Sequence, residues 1–166
     1  MTDVTQLIAE DHETFRRRFA ELDDLRDDAG RAGPVWSALA RLLEVHASAE
    51  EAHFYPALLQ HVPGSEDETK DAVGDHDDIR AGLRKASAAA VGSDRWWAGV
   101  DETRAANDEH MAEEEQDDLP DFRRHASAEV RDEIGAEFER FKAEHATLEG
   151  LTGDDKDPEE FVHENE

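Results

Sequence analysis

Cysteine is missing from this 166-residue chain, so neither a disulfide nor a thiolate-bound metal is available, and nothing points to a secreted scaffold. Basic side chains are scarce, with 18 Lys and Arg against 44 Asp and Glu, a formal charge of −26. Nucleic-acid binding needs a Lys/Arg footprint, and an anionic membrane repels such a surface, so neither is an expected partner. Nowhere do about 18 apolar residues run together, the minimum for a spanning helix. The opening "MTDVTQLIAED" has no basic stretch followed by an apolar run, so no signal peptide is expected. Strand-like alternation is absent as well. One cytoplasmic, soluble domain, large enough for a real core, is the expectation.

What is present reads as helix almost throughout. Ile8, His12, Phe15, Phe19 and Leu22 recur at steps of four and three, one buried helical stripe. After the break "DDAGRAGP", with Pro34 suited to a first turn, Leu39, Leu43, His46, Glu50, His53 and Ala57 form a second. The break "HVPGSEDE" carries Ser65 as a candidate cap with Glu68 three residues on. Val73, His76, Ile79, Leu83, Ala86 and Ala90 follow, ended by "VGSD", then Trp96, Val100, Thr103, Asn107, His110 and Glu114. A fifth helix over residues 127–148 places Ile134, Phe138, Phe141 and His145 on one side, and the acidic end is either loose or docked through Phe161 and Val162 alone. Short loops make the four helices an up-down-up-down antiparallel bundle. The expected division is a bundle over 1–125, an accessory helix over 126–150 and an acidic tail over 151–166.

Each stripe carries an oddity: His12, then His46 with Glu50, then His76, then His110 with Glu114. Burying two carboxylates in one bundle is expensive unless something cationic stands between them. In an antiparallel hairpin, groups at equal height are equidistant from the turn. The midpoints of His12/His46, Glu50/His76 and His76/His110 fall at 29, 63 and 93, all within the breaks above. The six side chains therefore share one level. His12 and His76, His46 and His110, Glu50 and Glu114, Pro56 and Pro120 are each 64 positions apart, and "EDHE" resembles "GDHD". Two similar helix pairs facing one another supply a symmetric site for two metal ions. A His and a Glu at i and i+4 share a face, and thiolate-free nitrogen and oxygen donors suit iron or manganese, with zinc as an alternative.

The segments "AEDHETF", "HASAEEAHFYPAL", "GDHDDI" and "HMAEEEQDDLP" give the chain a resemblance to the haemerythrin-like, HHE cation-binding family over about residues 4–122. The resemblance implies a four-helix bundle around two non-haem iron ions with an oxo or hydroxo bridge. His12, His46, Glu50, His76, His110 and Glu114 are the implied ligands, Glu50 and Glu114 the bridges. Oxygen carriers of the family place a second histidine four residues from the one on the third helix, where this chain has Ala72 and Arg80. Poorer in imidazole, the site should favour the ferric state and weaken reversible O2 carriage. Tyr55, His53 or solvent are candidates for the missing ligand, since Pro56 disturbs the turn before it. Glu51 and Glu115 are solvated neighbours or partners of the ligands, and Asn107 either bonds an imidazole or is a plain buried polar group. His61, His125 and His163 are expected to face solvent, and His145 to be a satisfied interface histidine. The small-molecule partners are O2, H2O2 or NO, bound by a monomer or homodimer. Catalase-like peroxide decomposition, reversible O2/NO binding or sensing, and a metal-free structural bundle are the three readings.

Overall fold

The computed structural model describes residues 2–166 and contains only helices among them. Helix α1 (Val4–Asp24) opens on Asp3, whose carboxylate accepts from the Thr5 amide at 2.9 Å. Helix α2 (Ala29–Ala49) is capped by Asp28, which accepts from the Arg31 amide. It starts earlier than expected. Pro34 lies inside it rather than in its first turn, tolerated because so near the N-terminus it removes only one hydrogen bond. After α2 come a single π-helical turn (Glu50–Phe54) and α3 (Tyr55–His61). Helix α4 (Glu66–Ser87) stops short of Ala90, which is exposed in the following loop. Helix α5 (Asp94–Glu113), capped by Ser93, runs into a second π turn (Glu114–Asp118) and α6 (Leu119–His125). Helix α7 (Ala128–Glu144), capped by Ser127, and α8 (Pro158–Asn165), capped by Asp157, complete the chain.

Ser65 does not cap as its sequence suggests. Its hydroxyl donates backwards to the carbonyls of Leu58 (3.2 Å) and Val62 (2.8 Å), closing the end of α3 instead. Between α4 and α5 the backbones approach closely: a Cβ at Gly82 would run into Thr103, and one at Gly99 into Ala86.

The antiparallel four-helix bundle has two apolar cores. One, with Val4, Ile8, Phe54, Leu58, Phe122 and Phe138, fills one end. The other, with Phe15, Phe19, Leu22, Trp36, Leu43 and Trp96, fills the opposite end. On α1 His12 falls between these groups, and on α2 His46 does so too. The polar layer is thus sealed above and below by hydrocarbon.

The C-terminal elements are ordered onto the bundle. Phe138 of α7 meets the His46 ring edge-on at 5.8 Å, so the fifth helix covers the first helix pair. The tail docks through more than Phe161 and Val162: Arg84 pairs with Asp155 at 2.9 Å, and Lys156 pairs with Glu51.

Candidate metal centre

The level at which the six side chains meet is set by helix geometry. His46 and Glu50, like His110 and Glu114, lie one turn apart on one face. The His12 and His46 rings stand 5.4 Å apart and those of His76 and His110 4.6 Å apart. All six residues are at most 4 % exposed. His46 Nε2 lies 2.9 Å from Glu50 Oε1, while His76 Nε2 lies 3.2 Å from Glu50 Oε2. Glu114 Oε2 is 3.2 Å from His12 Nε2 and 3.5 Å from His110 Nε2. Each carboxylate therefore reaches imidazoles from both helix pairs.

The outer nitrogens are held as systematically as the inner ones. His12 Nδ1–H donates to Glu115 (2.9 Å), His46 to Asp11 (2.8 Å), His76 to Glu51 (2.9 Å), and His110 approaches Asp75 at 3.4 Å. A carboxylate on Nδ1–H fixes the tautomer that leaves the Nε2 lone pair facing inward. Cations steady three of these carboxylates: Arg16 on Glu115, Lys142 on Asp11, and Arg80 with Lys156 on Glu51.

Inside the ring of donors, partners run out. His12 Nε2, His46 Nε2, Glu50 Oε1 and Glu114 Oε2 are buried and make no aligned hydrogen bond, although they stand close together. Among the described residues, Thr69 Oγ1 is the other buried side-chain atom without a partner. Four orphaned donor atoms at one point carry a substantial cost, and a divalent cation relieves it. Two groups of atoms, each within 4.8 Å of one another, could hold a metal ion: His12, His46, Glu50 and Glu114, and Glu50, His76 and His110. Glu50 is shared by both. The donor set fits the metal centre implied by its residue types.

The family model of the Hemerythrin HHE cation binding domain matches residues 3–122. The chain belongs to the haemerythrin family. Neither the curated proteins nor the solved structures gave a match.

A haemerythrin-type bundle with this buried cluster fits metal binding, and its electrostatics show what an ion would replace. Burial opposes charge on His46, yet Glu50 and Asp11 outweigh it and lift its pKa to about 9. Burial likewise raises Glu50, but the charge on His46 and the nearby His110 and His76 imidazoles hold it well below the usual carboxylate range. Without metal, protons on imidazole balance the two carboxylates.

Three neighbours were harder to place from sequence. Tyr55 enters the site: its Oη donates to Glu114 Oε1 at 2.9 Å and lies 3.3 Å from His76 Nε2. On an unbroken α-helix it would face away. The π turn adds one residue, so Tyr55 N–H bonds the Glu50 carbonyl and Tyr55 sits over Glu50 as an i+4 residue would. Pro56, with no N–H, was the readable signal. His53 is carried off by the same turn, onto Phe141 (5.5 Å) and Glu137 (3.3 Å). Arg80, one of the two positions four residues from His76, points its guanidinium at Glu51 and Glu44.

Glu51 and Glu115 proved to be partners of the imidazoles, Glu51 fully buried. Asn107 bonds no imidazole, its amide donating to Met111 Sδ at 3.4 Å. Asp11 and Asp75 escaped notice, although the repeated "DH" announced them. His145 is satisfied by the Glu149 carbonyl, and half-buried His61 packs on Phe122 rather than facing solvent freely.

Proposed function

We propose that this haemerythrin-family bundle holds two non-haem iron ions joined by an oxo or hydroxo bridge and decomposes H2O2 there. His12 and His46 would serve one ion, His76 and His110 the other, with Glu50 and Glu114 spanning both. The observation that carries this reading is the set of four orphaned inward atoms among six buried donors. Manganese or zinc would fit the same nitrogen and oxygen donors.

When bound, an iron pair supplies the two-electron exchange that turning two H2O2 into O2 and two H2O requires. The chain supplies the rest. Hydrocarbon on both ends of the polar layer limits bulk water, which strengthens every charge interaction inside. Carboxylates on Nδ1–H keep the imidazoles aimed. Tyr55 is the one hydroxyl at the centre among the described residues. Burial, together with the charges of Glu114, Glu50 and Asp118, pushes its pKa well above the usual phenol. It therefore keeps its proton and can donate it to a small oxygen ligand. Neither Ala72 nor Arg80 supplies a further imidazole, and the smaller number of neutral donors supports the oxidised state over reversible O2 carriage. The strongly acidic surface supports small-molecule partners over nucleic acid, and a cytoplasmic location is consistent with the absence of cysteine.

An oxygen electrode tests this directly. Iron-loaded protein should evolve O2 from added peroxide, and His110→Ala should lose at least about 90 % of that rate, since removing a ligand typically costs activity tenfold or more. A stable, reversible oxygenated or nitrosylated spectrum without O2 evolution would instead support binding or sensing.

A further inference from the structure

The four carboxylates that face the imidazoles are not equally guarded. Arg16, Lys142 and Arg80 close three of them, but Asp75, beside His110, has no cationic partner among the described residues. On that side a cleft of about 390 Å³ opens between α4 and the second π turn. Glu68, Asp71, Asp75 and Asp117 line it, His110 and Glu114 lie at its floor, and no Lys or Arg contributes.

One further wall residue points to a ligand. Asp118 is 4 % exposed, lines the cleft, and makes no hydrogen bond or ion pair among the described residues. Its oxygens are not among the atoms wholly shut from solvent, so the carboxyl opens into the cleft; holding a charge at so enclosed a position without a partner is costly, and packing does not require one. The corresponding position in the first half, 64 residues earlier, is Phe54, which packs on Phe122 at 5.3 Å. A phenyl ring serves there; the carboxyl at the cleft is met by no Lys or Arg of the described residues and is open to a cation from solvent.

We infer that this cleft is the entry site for divalent cations, with Asp118 as the inner oxygen ligand that passes an ion to His110 and Glu114. The inference rests on the metal-centre reading and adds the route by which the centre is filled. Hard divalent cations take carboxylate oxygens readily, and a cleft lined by one sign of charge concentrates the opposite ion and speeds association. An ion with six waters at about 30 Å³ each needs about 180 Å³, so it enters with its hydration shell. On the three guarded sides an Arg or Lys already occupies the carboxylate.

Loading of metal-free protein with Co2+, followed by stopped-flow absorption and by metal analysis at the endpoint, tests this without any turnover. Asp118→Asn should slow uptake about tenfold yet still reach the wild-type number of ions. Asp71→Asn with Asp117→Asn, both on the surface, should slow it several-fold at low salt, with the effect fading at high salt. Asp27→Asn with Asp24→Asn, an equal charge change at the end of α1 and in the loop after it, should load within about twofold of wild type. Wild-type rates in both cleft variants would overturn the entry route alone. A lower endpoint in Asp118→Asn would overturn it too, making Asp118 a permanent ligand. Wild type that binds no cobalt would overturn the metal centre itself.

Discussion

Set side by side, the α1–α2 half and the α4–α5 half show which features of the centre come as a repeated unit and which do not. Displaced by 64 positions, His12, His46, Glu50, Asp11, Arg16 and Glu51 become His76, His110, Glu114, Asp75, Arg80 and Glu115. The contacts follow the displacement too. His46 bonds Asp11 as His110 faces Asp75, and His12 bonds Glu115 as His76 bonds Glu51. The halves part at Tyr55 against Leu119 and at Phe54 against Asp118, and α7 covers only the first half. The candidate metal ligands are thus duplicated, whereas the hydroxyl and the open acidic cleft are each supplied once. On the proposed reading, duplication would serve binding, and asymmetry access and chemistry.

Burial gives the largest expected difference between equivalent positions. Arg80 is 4 % exposed and links buried Glu51 to Glu44, while Arg16 is 39 % exposed on Glu115. Removing one partner of a buried ion pair leaves an uncompensated charge, so Arg80→Met should cost about 3 kcal/mol. Arg16→Met should cost less than about 1 kcal/mol. Urea unfolding of both variants measures this, and equal losses would break the comparison.

The same contrast explains what could be read from sequence. Four helices and six ligand candidates were legible because helical periodicity and the 64-residue offset depend only on spacing. Tyr55 was half legible: Pro56 signalled a disturbed turn, but the rotation brought by a π turn depends on a backbone hydrogen bond. Asp118 was illegible, because its position 64 residues after Phe54 means nothing until the cleft is seen. Docking of Lys156 onto Glu51 likewise joins residues 105 apart in an acidic stretch without periodicity.

A slightly smaller effect concerns pH. His46 in the metal-free protein has its pKa raised from 6.5 to about 9, and His110 is raised well above 6.5, burial being overcome in both by neighbouring carboxylates. A raised folded-state value stabilises fully below the unfolded value and is lost as pH rises through the folded one. Stability of metal-free protein should therefore fall by on the order of 2 kcal/mol between pH 6.5 and 9, and His46→Gln should flatten that slope. Metal affinity should run the other way, because ligation needs neutral imidazole. Thermal melts with and without metal across this range check both signs; parallel slopes would contradict the account.

A smaller change in stability than from Arg80→Met or from pH is expected from Tyr55→Phe, about 1 kcal/mol for the lost hydrogen bond to Glu114. Metal content should be unchanged and peroxide turnover reduced at least about tenfold. A lost metal ion would make Tyr55 a ligand, and unchanged turnover would remove its role as proton holder.

Glu50 is the residue common to both donor groups, so metal stoichiometry in Glu50→Ala decides the central claim. Equilibrium titration of metal-free protein should give two ions per chain in wild type and fewer than one in the variant, with helical content retained. Wild-type stoichiometry in a folded Glu50→Ala protein, or no bound metal in wild type under replete conditions, would contradict the convergence on which the centre depends.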